Sequence, residues 1–130
     1  MTNGALINSI YQAFARGDIE SVIGTFDPDI SWTEAKGFMY GGTYVGPESV
    51  LSGVFMRIGT EWENFTVTPQ KIIDGGDGNV ISTGTYSGKF LATGRTTTVP
   101  FAHEWEINDG KVIRFVQHTD TLTIARDLGI

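Results

Sequence analysis

Both histidines of the chain fall in one short stretch, VPFAHEWEINDGKVIRFVQHTDT, which covers residues 99–121 and also holds four of the fifteen acidic residues. An imidazole ring has an ordinary pKa close to neutrality, so it can accept and release a proton under physiological conditions. Carboxylates are frequent partners in such transfers. The stretch therefore makes acid–base chemistry the first hypothesis for this chain.

Each of these polar residues also has a structural explanation. His103 and Gln117 are predicted on a mostly apolar strand face, where an unpartnered polar group costs about 1 to 3 kcal/mol. His103 is either a core histidine bonded to a carbonyl or to Gln117, or a ring that lines a cavity and transfers protons. His118 has the opposite parity and is expected on the outer face. Asp120 follows the last strand, so it either caps a terminal helix or reaches the mouth of the cavity.

Apolar residues at three-to-four spacing predict three helices in the first half of the chain. Asn3 is the expected N-cap of the first helix and Asp18 that of the second, and Pro47 fits the first turn of the third. The helices are expected to end at Gly17, at the Asp27-Pro28 pair and near Gly59. Before the third helix, alternating residues at 29–34 predict a strand, and residues 37–46 predict a glycine-rich loop.

After residue 61 the apolar period changes from near 3.6 to 2, which predicts a meander of long strands. The expected strands are Trp62–Asp74, Asn79–Leu91, Thr97–Asn108 and Lys111–Thr119, followed by a short helix at Thr121–Leu128. Helices gathered first and antiparallel strands after them are typical of an α+β fold, with helices covering one face of a curved sheet.

The turn of the last hairpin allows two registers, and a shift of one residue reverses every facing. A three-residue loop pairs Ile107 with Lys111 and sets Glu104 opposite Arg114. A two-residue loop pairs Asn108 with Lys111 and mixes polar with apolar residues on both faces. We prefer the first register because it pairs opposite charges and gathers one apolar face. That face consists of Phe101, His103, Trp105, Ile107, Ile113, Phe115 and Gln117.

Composition narrows the classes of function. The 130 residues fit one domain, 1–130, and the absence of cysteine excludes disulfides and thiolate chemistry. The net charge of −6, with nine scattered basic residues, argues against a nucleic-acid partner. A metal site is not expected because the two histidines face opposite ways, and no phosphate or dinucleotide motif predicts a cofactor. No apolar run of about 18 residues and no signal-peptide pattern occurs, so we expect a cytoplasmic protein without membrane contact.

Three segments of the chain carry a family resemblance: IYQAFARGDIESVIGTFDPDISW, GTYVGPESV and TGRTTTVPFAHEWEINDGKVIRFVQHTDT. They resemble the SnoaL-like and ketosteroid-isomerase-related branch of the nuclear transport factor 2-like superfamily, over nearly the whole chain. The resemblance implies a cone-shaped α+β fold, in which a bent antiparallel sheet wraps three helices around a pocket. It also implies a homodimer formed through the outer face of the sheet. Members include enzymes and non-catalytic proteins, so the fold does not choose a function.

Different branches of the superfamily imply different site residues. Polyketide cyclases place an acid just past the last strand and a histidine on the neighbouring strand, which implies Asp120 and His103 as the catalytic pair. Ketosteroid isomerase combines a carboxylate base with an oxyanion hole made by a tyrosine and a protonated aspartic acid. Tyr11 resembles that tyrosine in position, whereas the second acid has no equivalent here. Epoxide hydrolases use an Arg-x-Asp arrangement on one strand, and no such arrangement occurs on a predicted inward-facing strand of this sequence.

Further residues are expected to bind the substrate. Glu34 shares a strand face with Ile30 and Trp32, so it either points into the pocket with a raised pKa or ends the strand in solvent. Tyr40 and Tyr44 lie in the glycine-rich loop, which is either a lid over the pocket or an ordinary surface loop. Core packing explains the aromatic residues among the remaining candidates equally well. The remaining predicted wall residues are Tyr11, Trp32, Phe55, Trp105, Phe115 and Gln117. The expected function is cofactor-free proton transfer next to a carbonyl of an apolar cyclic substrate, by an isomerase, cyclase or dehydratase. The alternative is a non-catalytic protein that binds a hydrophobic ligand.

Overall fold

The computed structural model describes all residues from 1 to 130, and it confirms an α+β fold with one curved six-stranded sheet. The strands are β1 (Phe26–Glu34), β2 (Gly42–Val45), β3 (Trp62–Gly76), β4 (Asn79–Phe90), β5 (Arg95–Asn108) and β6 (Lys111–Thr119). The helices are α1 (Asn3–Ala15), α2 (Ile19–Ile23), α3 (Pro47–Val50), α4 (Met56–Glu61) and α5 (Thr121–Leu128), with a π-helical turn at Leu51–Phe55 between α3 and α4. None of the helices has the length and hydropathy needed to cross a bilayer.

The sheet has the strand order β2-β1-β6-β5-β4-β3. Its consecutive hairpins are antiparallel, as predicted, but β1 lies parallel to β6. The helical segment at 47–61 carries the chain from β2 at one edge of the sheet to β3 at the other edge. The strands from β3 to β6 then run back across the sheet, so the last strand, β6, lies beside β1. The crossover places β1 beside the hairpin that holds both histidines.

The beginning of the chain differs from the sequence prediction in its caps and boundaries. Helix α1 has the predicted bounds, but its N-cap is Thr2, whose Oγ1 accepts from the amide of Ala5 at 3.0 Å. Asp18 caps α2 as predicted, since its Oδ1 accepts from the amide of Ser21 at 3.1 Å. Strand β1 already begins upstream of Pro28, where its pairing with β6 is irregular, so the missing amide of Pro28 breaks no ladder hydrogen bond.

Residues 37–46, predicted as a glycine-rich loop, contain a short strand, β2. Strand β2 pairs antiparallel with the end of β1, from Ser31↔Val45 to Glu34↔Gly42. The helical segment then continues past Gly59 to Glu61, because a glycine inside a helix weakens it without ending it.

The last hairpin combines a two-residue turn with a bulge. Both Asp109 and Gly110 have positive φ, 49° and 72°, which is the geometry of a two-residue loop. Asn108 therefore pairs with Lys111, and the preferred three-residue loop is wrong. Between the pairs Ile107↔Val112 and Glu106↔Arg114 the register shifts, leaving Ile113 as the extra residue.

The bulge restores the inward face that the sequence predicted. Beyond it, Trp105 pairs with Phe115 and His103 pairs with Gln117, and all four side chains are buried. Only Ile113 leaves the predicted face, where the buried side chain of Val112 takes its place.

The expected pairing of Glu104 with Arg114 is wrong. Glu104 lies opposite Val116, and its Oε2 is bonded to Nε2 of His118 at 2.5 Å. Arg114 instead forms a 3.5 Å ion pair with Glu106. His118 is therefore on the outer face, as its parity predicted.

Candidate active site

A cavity lies between the inner face of the sheet and the helices. The centre of a water molecule can occupy about 60 Å³ of this cavity. Twelve of the fifteen residues that line the cavity are hydrophobic. The lining residues are Tyr11, Phe14, Trp32, Glu34, Phe38, Val54, Phe55, Ile58, Phe65, Val67, Tyr86, His103, Trp105, Phe115 and Gln117. The predicted site residues found in this lining are Tyr11, Trp32, Glu34, Phe55, His103, Trp105, Phe115 and Gln117.

Glu34 is the only carboxyl that lines the cavity. It is the last residue of β1, and the alternation that buries Ile30 and Trp32 also turns its side chain inward, so it is only 4% exposed. Burial raises its pKa to about 8, while the indole of Trp32 acts weakly in the opposite direction. The indole Nε1 itself has no partner within hydrogen-bond distance. A carboxyl whose pKa lies near neutrality can both take up and return a proton.

His103 is held between two tyrosine hydroxyls on the cavity wall. Its Nδ1 is bonded to the hydroxyl of Tyr11 at 2.5 Å, and its Nε2 is bonded to the hydroxyl of Tyr86. The ring also stacks on Phe101, with centroids 4.1 Å apart. Burial holds the pKa of His103 well below its ordinary value, and His118 contributes in the same direction. His103 is therefore a neutral ring with both nitrogens occupied, as in the core-histidine alternative, but its partners are two tyrosine hydroxyls and not a carbonyl or Gln117. The ring also lines the cavity, as the other alternative expected.

The two tyrosines connect His103 to a longer buried network. On one side, Oγ of Ser82 lies 2.6 Å from the hydroxyl of Tyr11 and accepts from Nε1 of Trp105 at 3.0 Å. On the other side, Nε2 of Gln117 donates to the hydroxyl of Tyr86 at 3.1 Å. Oε1 of Gln117 accepts from the amide of Ala35 at 2.9 Å, which fixes the orientation of its side-chain amide. Burial raises the pKa of both tyrosines, so both hydroxyls stay protonated at neutral pH.

Aromatic rings pack against one another in the cavity wall. Trp32 stacks on Phe115 with centroids 3.7 Å apart and meets Phe55 edge-on at 5.4 Å. Trp105 meets Phe115 at 4.7 Å. No lysine or arginine lines the cavity, so its wall carries no fixed positive charge. The structure also contains no cluster of three or more His, Cys, Asp or Glu side chains that could hold a metal ion.

Two predicted site residues lie outside the cavity. Asp120 caps α5, where its carboxylate accepts from the amide of Thr123 at 3.0 Å and from the Thr123 hydroxyl at 2.8 Å. These bonds lower its pKa, and its exposed position gives it no contact with His103. Tyr40 is not in a lid, since its buried hydroxyl donates to Glu61 at 2.9 Å and accepts from Nε1 of Trp62 at 3.1 Å. The geometry therefore gives both residues structural roles.

Two polar residues of the site escaped the sequence analysis. Ser82 and Tyr86 lie on β4 together with Val80, and all three side chains point inward because they share the parity of the strand. Ser82 pairs with His103 across the β4–β5 ladder. The alternation Val80-x-Ser82 and the tyrosine four residues further could have identified them, once β4 was placed beside the histidine strand.

Comparisons with known proteins agree with the fold. The family model of the SnoaL-like domain matches residues 7–115. An NTF2-like protein from Burkholderia thailandensis E264 superposes with a TM-score of 0.93 at 35% sequence identity, over 98% of this chain and 97% of that one. TerC, co-crystallised with polyporic acid, superposes with a TM-score of 0.86 at 27% identity, over 98% of each chain.

One similar protein belongs to a biosynthetic gene cluster. Patulin biosynthesis cluster protein F of Penicillium expansum is 30% identical over 88 residues, which are 67% of this chain and 43% of that protein. The chain thus spans less than half the length of this curated relative.

Proposed function

The chain belongs to the SnoaL-like domain family, and from this premise we propose that it is a small-molecule enzyme of the isomerase, cyclase or dehydratase type. In this proposal it moves a proton next to a carbonyl group without a cofactor. The supporting observation is Glu34, a lone buried carboxyl with a pKa of about 8 in an otherwise apolar cavity. A general base works best when its pKa lies near the operating pH.

The proton transfer assigns one role to each polar part of the cavity. Ionised Glu34 takes a proton from the carbon beside the substrate carbonyl. The electron pair of the broken C–H bond forms the C=C bond of the enolate, and the π pair of the carbonyl moves onto its oxygen. A tyrosine hydroxyl on the wall donates a hydrogen bond to the resulting enolate oxygen. Protonated Glu34 then returns the proton to another carbon or to a leaving hydroxyl. His103 orients the tyrosines and stays neutral because burial holds its pKa well below its ordinary value, so the expected proton exchange between His103 and Asp120 has no part in this mechanism.

The charge of the cavity limits the substrate class. Burying an anion without a cationic partner is costly, and no lysine or arginine lines this cavity. We therefore expect a neutral substrate with an apolar cyclic body and a carbonyl group. The polyporic acid bound to TerC and the patulin cluster membership of the fungal relative both support a small-molecule ligand.

Deuterium exchange next to a carbonyl tests the proposal. A panel of neutral cyclic ketones is incubated with the protein in D₂O, and their binding is followed by the NMR signals of the His103 ring. We expect at least one bound ketone to exchange its α-protons, and we expect Glu34→Gln to abolish that exchange while binding persists. Glu48→Gln, at an exposed carboxyl, is the matched control. If no ketone binds, the proposed substrate class is wrong.

A non-catalytic binding protein is the second candidate function. It is favoured by one observation, since both nitrogens of His103 are occupied by tyrosine hydroxyls and the ring offers no free base. Binding of the ketones without any α-proton exchange would support this candidate against the enzyme.

A further inference from the structure

The buried network of the cavity has a defined number of hydrogens. Four of its members, Ser82, Tyr11, His103 and Tyr86, are joined in series by three hydrogen bonds. Each of the three hydroxyls carries a single hydrogen, and the neutral imidazole also carries a single one. The series therefore has one hydrogen more than its three bonds can use. Trp105 and Gln117 only donate at the two ends of the series and accept none of these hydrogens. One hydroxyl hydrogen of the series therefore always remains unused.

Ser82 restricts where the unused hydrogen can be. Its side chain is fully buried and does not line the cavity, and its only hydrogen-bond partners are Tyr11 and the indole N–H of Trp105. Because Trp105 offers no acceptor, the hydrogen of Ser82 is satisfied only if it points to Tyr11. A buried donor without an acceptor costs about 1 to 3 kcal/mol. The unused hydrogen is therefore on one of the two tyrosines that line the cavity.

The alignment of the bonds distinguishes the two tyrosines. If Tyr11 donates to Nδ1 of His103, then Nε2 carries the ring hydrogen and donates to Tyr86, and all three bonds run in the same direction. Aligned bonds polarise and strengthen one another. If instead Nδ1 carries the hydrogen, Tyr11 accepts from both sides and the series is divided. The Gln117 amide donates to Tyr86 in both arrangements, so it does not compete for the hydrogen of Tyr86.

We propose that Ser82, Tyr11 and His103 form a one-way hydrogen-bond chain that leaves the hydroxyl hydrogen of Tyr86 free to bind the carbonyl oxygen of the substrate. This inference rests on the proposed function, in which the substrate is a hydrogen-bond acceptor. It makes Ser82 a positioning residue, since Ser82 has no access to the cavity and acts through Tyr11 and His103.

The tautomer of His103 tests the chain directly. The full-length protein, labelled with ¹⁵N-histidine and without ligand, is measured by NMR to find which ring nitrogen carries hydrogen. We expect Nε2 to be protonated and Nδ1 to be bare in the wild type. In Ser82→Ala the direction of the series is no longer imposed, so we expect a population with hydrogen on Nδ1 to emerge. Ser87→Ala, on the same strand but outside the network, should keep the wild-type tautomer.

Two results would overturn the inference: hydrogen on Nδ1 in the wild type, or the same tautomer in the wild type and in Ser82→Ala. The wild-type measurement decides the matter alone if the serine variant does not fold. Its outcome is separate from that of the proposed function, because α-proton exchange by Glu34 needs a donor on the wall but does not depend on which tyrosine supplies it.

Discussion

The side chain of Glu34 is buried, and no basic side chain lines the cavity beside it. Most buried carboxylates are paired with a basic side chain, which holds their pKa low. Here the cavity is lined by aromatic rings and neutral polar groups, so burial is the main cause of the raised pKa of Glu34. Such a carboxyl costs stability when it ionises, which is typical of a residue retained for chemistry.

The ionisation of Glu34 should therefore lower the free energy of unfolding as pH rises. The folded-state pKa of about 8 lies above the ordinary value of 4.5, so the folded state holds an extra proton between these values. The contribution of protonated Glu34 is fully present below the lower value and is lost as pH rises toward the upper one. The loss is on the order of 5 kcal/mol.

Urea denaturation of the wild type and Glu34→Gln at pH 5, 7 and 9 measures this contribution. We expect the difference in the free energy of unfolding to move in favour of the glutamine variant as pH rises, because glutamine cannot ionise. Glu48→Gln is the control for an exposed carboxyl. A constant difference between Glu34→Gln and the wild type would show that the carboxyl ionises normally.

The two tyrosines beside His103 should not be equivalent in catalysis. If Tyr86 donates to the substrate oxygen, Tyr86→Phe should lower the α-proton exchange rate by roughly 10² to 10³, as the loss of an oxyanion donor does elsewhere. Tyr11→Phe should have the smaller effect, because Tyr11 acts through His103. Exchange rates of both variants with the same ketone provide the measurement, and a larger effect for Tyr11→Phe would contradict the order of the chain.

At the scale of elements, the helical segment at 47–61 forms one wall of the site and is tied to strand β2. Its π-helical turn presents Val54 and Phe55 to the cavity, and π turns are frequent at functional sites. The hydroxyl of Tyr44 in β2 donates to the carbonyl of Tyr40 at 2.7 Å, which fixes the Tyr44 ring against Gly53. A glycine is needed here because the ring leaves no space for a side chain.

Two glycine substitutions in this segment should have opposite effects. A Cβ at Gly53 would lie 2.3 Å from Cε1 of Tyr44, so Gly53→Ala should destabilise the protein by about 1 to 3 kcal/mol. A Cβ at Gly59 meets nothing within 4 Å, so Gly59→Ala should stabilise the helix by about 0.5 to 1 kcal/mol. Thermal unfolding of both variants checks this, and a stabilised Gly53→Ala would refute the contact.

The sequence predicted elements better than it predicted their junctions. Helix α1, β6 and α5 have their predicted bounds because apolar periodicity is a local property of the chain. The bulge at Ile113 and the parallel pairing of β1 with β6 depend on contacts between distant segments, which periodicity does not encode. Glu34 was identifiable from its parity with Ile30, whereas the contact of His103 with Tyr86 required the register of β4 against β5.

At the scale of the whole molecule, the outer face of the sheet is available for association. Ile73 and Ile81 are cross-strand partners on β3 and β4, and they are 53% and 38% exposed. A second copy of the chain packed on this face would bury both side chains. We propose that this face forms the homodimer that the family resemblance implies.

Light scattering after size-exclusion chromatography tests the dimer. We expect the wild type to have the mass of a dimer and Ile81→Lys to have that of a monomer, because a buried lysine at the interface is costly. Leu122→Lys, at an exposed position on α5, is the control and should remain dimeric. A monomeric wild type would exclude the dimer. A dimeric Ile81→Lys would place the interface elsewhere on the molecule.

In the proposed mechanism the fold raises the pKa of one cavity carboxyl, that of Glu34, toward neutrality for proton transfer, and the titration of Glu34 tests this most directly. Carbon-13 NMR of the protein labelled at the glutamate Cδ, with Glu34→Gln to assign the signal, gives the pKa of this group. We expect its signal to titrate with a midpoint near 8, apart from the exposed glutamates. A midpoint near the ordinary value of 4.5 would mean that the carboxyl is ionised at neutral pH and would contradict the claim.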